Sequence, residues 1–195
     1  TKKYYFCGIR YLKKKWAMDF KETFLFNFRI SGNYSRNPKC MDFLEYKTHN
    51  PLVSIVVASY NYEDLIVETL DSLVAQTYKN FEIIVVENNS TESETFEYYK
   101  TAQSKYNNLR VITWESGFNY SAINNFAVEQ AGGDYILLLN NDIEVITSDW
   151  IEQMLMFCQR GDVGAVGAKL YYQDDTIQHA GVIVGLGGVA GHSHK

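Results

Sequence analysis

The chain has 195 residues, 46% of them hydrophobic and 21% charged, with two prolines; that is the length of one domain with its own core, and the composition excludes a disordered, collagenous or coiled-coil chain. Its apolar runs, such as Ile136 to Leu139 and Ile83 to Val86, fall far short of the roughly 20 residues that cross a bilayer as a helix, so no transmembrane helix is expected. The net charge of −5 hides an asymmetry: residues 1–50 hold eleven Lys/Arg against four Asp/Glu, and residues 51–195 hold seven against nineteen.

A basic arm can serve nucleic acid or an anionic membrane surface. Here aromatics and amides interrupt it and Lys13-Lys14-Lys15 is its one cluster, which argues against nucleic acid. Cys7, Cys40 and Cys158 stand at unrelated spacings with no CxxC pair; they read as reduced thiols of a cytoplasmic chain. The first residue is Thr1, which leaves a removed leader open, and no signal-type apolar stretch is present.

The text changes character at Pro51, so residues 1–50 read as a basic and aromatic extension, with Phe20 to Ile30 a cover for the sheet, and residues 51–195 as the working domain. Leu52 to Ala58 is a short β-branched run, the sign of a strand covered on both faces. Ile66, Leu70, Leu73 and Val74 then form the stripe of an amphipathic helix. Phe81 to Val86 is a second buried strand, followed by a polar loop over Glu87 to Thr91 and a helix carrying Phe96, Tyr99 and Tyr106. Leu109 to Trp114 is a third strand; Ile123, Phe126 and Ala127 open a helix that Gly132-Gly133 is expected to stop. Tyr135 to Leu139 is a fourth strand, and Ser148 is expected to cap a helix with Asp149 and Glu152 in its first turn. Strands alternating with helices predict a mostly parallel, doubly wound sheet with helices on both faces, which binds ligands at the strand carboxyl ends.

Those ends are polar. Ser59-Tyr60-Asn61-Tyr62 follows the first strand and carries neither GxGxxG nor GxxxxGK[ST]. Glu87-Asn88-Asn89-Ser90 follows the second; it suits hydrogen bonds to a nucleobase or ribose edge, and equally an Asx turn leading into the next helix. Asn140-Asn141-Asp142 follows the fourth. A carboxylate there suits one hard divalent ion whose shell is completed by a diphosphate, and the bland alternative is a loop turn.

Val53 to Asn61, Gln76-Thr77-Tyr78 before Phe81 to Ser90, and Gly133-Asp134-Tyr135 leading into Leu139 to Val145 together resemble family 2 glycosyltransferases, over about residues 51–195, with the flavour of the rhamnosyltransferase-like, cell-surface polysaccharide branch. The resemblance implies a GT-A fold, a Rossmann-like sheet with a nucleotide-diphosphate sugar across its strand ends. It implies Ser59 and Tyr60 in the base pocket, Glu87 and Asn88 at the family's acidic pair, and Asn140-Asn141-Asp142 as the DxD element, with Asp142 the ligand of Mn²⁺ or Mg²⁺ and Asn140 on ribose or sugar. Asn88 replaces an acid of the family pattern, which leaves base recognition open, and the first acid of the DxD element is also an asparagine, Asn140, a variant of this branch. Asn119 and Asn124, in the segment entering the third helix, are implied to reach the donor.

The same resemblance implies an inverting, metal-dependent transferase acting on a glycan or lipid-linked acceptor; the basic balance of residues 1–50, which the resemblance does not cover, points separately to a contact with the inner face of the membrane. Its catalytic base is expected beyond Lys195, because the family's later Asp or Glu has no counterpart here. The tail reads as a hairpin, residues 168–172 against 177–184, joined by Gln173 to Thr176. Asp174-Asp175 sits in that turn, and the glycine-rich 185–195 with His192 and His194 reads as a loop. Two alternatives stand beside this reading: a non-catalytic nucleotide-sugar-binding module, and a nucleotidyltransferase, which would need a basic glycine-rich loop after the first strand.

Overall fold

A computed structural model describes residues 3–6, 16–18, 50–61, 63–159, 163–185, 188 and 190–192. Lys13 to Lys15, Cys7, Cys40, residues 20–30 and His194 lie outside them. The central sheet contains β1 (Lys3–Phe6), β3 (Val53–Ser59), β4 (Phe81–Glu87), β5 (Leu109–Thr113) and β6 (Tyr135–Leu139) in the order β1-β6-β3-β4-β5. Every pairing in it is parallel.

The crossovers are α1 (Glu63–Ala75), α2 (Ser93–Lys105) and α3 (Tyr120–Gln130); α4 (Trp150–Cys158) follows a short β7 (Ile143–Val145). Side chains alternate along a strand, and here both faces are dry. Val53, Ile55 and Val57 of β3 pack with Ile66, Leu70, Leu73, Tyr99, Ile151 and Leu155 of α1, α2 and α4. Val56 packs with Ile84, Ile136, Ile123 and Ala127 on the opposite face, which α3 covers. Two covered faces are why the strands read as continuous apolar runs instead of alternating ones, and the doubly wound α/β expectation holds.

A second sheet, in the order β7-β2-β8-β9, joins β2 (Trp16–Met18) to β7, β8 (Leu170–Tyr171) and β9 (Ile177–His179). The tail hairpin forms as expected, with β8 antiparallel to β9; Asp174 Oδ1 accepts from the Thr176 amide and hydroxyl, which makes it a turn residue. Residues 190–192 differ from the expected loop: β11 (Ala190–His192) pairs with β10 (Val182–Val184). Among the described residues no helix is long and apolar enough to cross a membrane.

Two helix ends are also built differently from expectation. Asp149, not Ser148, is the N-cap of α4: the Ser148 carbonyl accepts from the Thr77 amide, and the Thr77 hydroxyl donates to Glu152 of the helix. Asp149 makes no side-chain cap bond and accepts from the Gln153 amide group instead. Helix α3 ends at Ala131 in extended backbone, so Gly132-Gly133 is not a left-handed stop. Gly133 is required by close approach: its N–H donates to Ser54 Oγ at 2.8 Å, and a Cβ there would lie 2.7 Å from the Leu52 carbonyl oxygen.

Candidate functional site

Register builds the site. Ser59 and Glu87, the last residues of β3 and β4, are paired partners, and each lies two positions beyond a valine, Val57 or Val85, that packs under α1 and α2. Alternation therefore aims both side chains at the helix layer. Tyr99 of α2 meets them there, its Oη 2.9 Å from Ser59 Oγ and 3.0 Å from Glu87 Oε2. Burial pushes the Tyr99 phenol up from its ordinary value and the Glu87 charge adds to this, so Tyr99 keeps its single proton. It donates that proton to the carboxylate and accepts from the Ser59 hydroxyl.

Glu87 is buried and both its oxygens are engaged. Oε1 accepts from the Ser90 amide and Oε2 from the Ser90 hydroxyl at 2.6 Å. Ser90 Oγ in turn accepts from the Asn61 amide at 2.9 Å. Asn61 has a φ of 47°, a left-handed conformation that asparagine tolerates. Its Oδ1 receives the amides of Thr91 and Glu92, and its Nδ2 donates to Thr91 Oγ1. One asparagine of the β3 loop thus serves the approach to α2, whose own N-cap, Glu92, makes no side-chain capping bond.

Asn88 points the other way, as alternation requires. Its Nδ2 donates to the carbonyls of Trp114 and Ser116, 3.0 Å each. Asn89, with a φ of 58°, donates to the same Ser116 carbonyl. The loop after β5 is thereby tied to the end of β4. Tyr60 follows Ser59 on this rim and is 48% exposed. Asn119 is the N-cap of α3, accepting from the Ala122 amide at 3.0 Å, and Asn124 is buried with its amide group donating to the Tyr120 carbonyl.

At the end of β6 the situation is opposite. Asp142 Oδ1 is buried and has no hydrogen-bond partner among the described residues. Burial pushes the Asp142 carboxyl up from its ordinary value, while its own backbone N–H and the Asn140 side chain pull it back. The loop is held from below by Thr69 of α1, fully buried, whose Oγ1 donates to the Asn141 carbonyl at 2.9 Å and lies 3.4 Å from that of Ile143. An unpartnered hard oxygen suits Mg²⁺ or Mn²⁺. Among the described residues no group of three or more His, Cys, Asp or Glu side chains could hold an ion, so the donor set fits a cation only when a ligand supplies further oxygens.

Tyr99 was legible only as a core position of a helix stripe, and Thr69 carried no signal at all; both act through hydroxyls that a hydrophobicity pattern ignores. Residues 54–182 match Glycosyl transferase family 2. The O-antigen biosynthesis protein RfbC of Myxococcus xanthus is 48% identical over 143 residues, 73% of this chain and 11% of that protein. The UDP-Glc:alpha-D-GlcNAc-diphosphoundecaprenol beta-1,3-glucosyltransferase WfaP of Escherichia coli is 31% identical over 128 residues, 65% of this chain and 49% of that protein. The chain thus spans less than half the length of each. In three dimensions it is similar to the mannosyltransferase PcManGT from Pyrobaculum calidifontis, in complex with GDP-Man and Mn²⁺, with a TM-score of 0.54 and 20% identity over 61% of this chain and 39% of that one. That likeness is one of fold, the GT-A arrangement. Because the sequence match runs from β3 to the start of β10 and takes in the parallel strands with their polar rim, this chain belongs to glycosyl transferase family 2.

Proposed function

We propose that the chain forms the donor-binding part of a metal-dependent, inverting glycosyltransferase that moves a sugar from a nucleotide-diphosphate sugar to a glycan or lipid-linked acceptor in cell-surface polysaccharide synthesis. The observation that carries this reading is Asp142 Oδ1, a buried acceptor without a partner at the carboxyl end of β6. Such a group costs about 1–3 kcal/mol of lost solvation, and a cation shared with a diphosphate would satisfy it. Asn140 orients the carboxylate and Asn141 anchors the loop through its carbonyl. Ser59, Tyr60, Glu87 and Asn88 frame the nucleoside, and Asn119 and Asn124 stand where α3 begins.

In the proposed reaction an acceptor hydroxyl oxygen bonds to the anomeric carbon as the bond to the diphosphate breaks, and a carboxylate takes the hydroxyl proton. A bound Mn²⁺ or Mg²⁺ would supply charge stabilisation for the departing diphosphate. The relatives' printed roles in O-antigen biosynthesis and in glucosyl transfer to a diphosphoundecaprenol-linked sugar support the acceptor class.

Calorimetric titration of UDP, GDP and dTDP, with Mn²⁺ and with EDTA, on the wild type and on Asp142→Ala tests this. Binding of one nucleotide that strengthens with Mn²⁺, and loses that gain in Asp142→Ala, is expected. Equal affinity in EDTA would sink Asp142 as the ligand. Binding without sugar transfer or donor hydrolysis by this chain would assign it the donor-binding role alone.

A further inference from the structure

We propose that Tyr99 is a positioning residue for the nucleoside half of the donor, and that Glu87 is its internal anchor, not a reader of the base. The proposal rests on the donor-site reading and deepens it. Three internal donors, the Ser90 amide, the Ser90 hydroxyl and the Tyr99 hydroxyl, occupy three of the roughly four acceptor positions of the Glu87 carboxylate, and the side chain is buried. A base would have to reach a buried carboxylate whose acceptor positions are mostly taken.

Tyr99 in contrast spans the two strands at the one place where both end, Ser59 opposite Glu87. Its ring cannot follow a moving loop, because it is buried in the α2 face and set edge-on to Phe96 at 6.2 Å. The residues that follow these two anchors are Tyr60, half exposed, and Asn88, which ties down the loop after β5. From Glu87 the chain of bonds continues through Ser90 to Asn61 and so to Thr91 and Glu92, the residues that lead into α2. One phenol therefore sets the spacing of both loops that frame the nucleoside. The Asp142 loop is outside this network, since Thr69 of α1 holds it.

The separation gives a selective test. In the full chain, with Mn²⁺ present, affinities for UDP, GDP, dTDP and inorganic pyrophosphate are measured for the wild type, Tyr99→Phe, Ser59→Ala and the double variant. Tyr99→Phe is expected to weaken the nucleotide that the wild type binds by about tenfold, the loss of one hydrogen bond to a charged group, and to leave pyrophosphate within about twofold. Ser59→Ala should act in the same direction, and the double variant should be no weaker than Tyr99→Phe alone, as for groups in one network. Unchanged nucleotide affinity in Tyr99→Phe, or a parallel loss of nucleotide and pyrophosphate, would overturn the proposal. If Tyr99→Phe does not fold, Ser59→Ala carries the same comparison. A wild type that binds none of the three nucleotides would instead overturn the donor-site reading itself.

Discussion

Thr69→Val isolates the hydroxyl that supports the Asp142 loop. Valine keeps the branched shape and removes only the donor, so the α1 packing around a fully buried position is retained. What is lost is the 2.9 Å bond to the Asn141 carbonyl and the longer approach to that of Ile143. The Asn141 carbonyl is half-buried, so losing its donor costs about 1 kcal/mol, the low end for a buried orphan, and in a chain of this size each kcal/mol lowers Tm by about 2–4 °C. The strain falls on the residue before Asp142, so Mn²⁺-dependent nucleotide affinity should drop by about tenfold, the equivalent of roughly 1.4 kcal/mol. Thr69→Ser keeps the hydroxyl and gives up a methyl; it should lose about 1 kcal/mol of stability and hold metal affinity close to wild type. Thermal unfolding by circular dichroism and titration with and without Mn²⁺ read the two effects separately. Wild-type melting in Thr69→Val would refute the buried bond. A lowered melt with undiminished Mn²⁺ dependence would show that the hydroxyl secures the helix and not the loop.

Two further outcomes concern the scaffold beneath the site. Gly133→Ala should destabilise by about 1–3 kcal/mol, because the new Cβ would lie 2.6 Å from Ser54 Oγ, 2.7 Å from Leu52 O and 2.7 Å from Ser54 N, the last two being backbone atoms at the entry to β3. Gly132→Ala, whose Cβ meets nothing closer than Glu82 Oε1 at 3.4 Å, is the control, and equal chemical denaturation of the two variants would refute the close-approach argument. Burial raises the Glu82 carboxyl, but the Ser54 hydroxyl, the Gly132 amide and Arg110 outweigh it and hold the group below its ordinary value. A depressed carboxyl contributes stability that is present above its unfolded value and lost as pH falls through its folded one. Wild type should therefore lose more stability than Glu82→Gln between about pH 6 and about pH 3, and parallel losses in denaturant titrations at both ends would count against it.

The sheet was legible because Ile55 to Val57, Ile83 to Val86 and Ile136 to Leu139 are apolar on consecutive residues, a pattern that fits strands covered on both faces, as these are. The same pattern told which loops leave the carboxyl ends, and so placed Ser59, Glu87 and Asp142 on one rim. What it left open was the direction of each polar side chain. Whether Glu87 faces a ligand or the helix layer depends on its parity relative to Val85 and on what α2 brings above it, and the partner Tyr99 looks from sequence like one more ring of an apolar stripe. The expected Ser148 cap failed for a related reason: a local rule for helix starts cannot see that Thr77, from a distant loop, bonds the Ser148 carbonyl and Glu152 of the helix.

The rim thus divides into two kinds of polar group, and the division has its origin in desolvation. Ser59, Asn61, Glu87 and Ser90 are satisfied through one another and Tyr99, and Asn88 through the carbonyls of Trp114 and Ser116. Satisfied in this way, they stabilise a fixed shape, and any ligand meets that shape more than their free valences. Asp142 Oδ1 is removed from solvent with no such partner, although Asn140 stands two residues away and turns its side chain to the same carboxylate. If the loop served only as a turn, a serine or asparagine at 142 would close it without burying a charge, with a smaller desolvation penalty. A carboxylate retained there despite that penalty is understandable when the missing partner is a cation that arrives with the substrate, since its positive charge favours the ionised form and so opposes the burial that now pushes the Asp142 carboxyl upward.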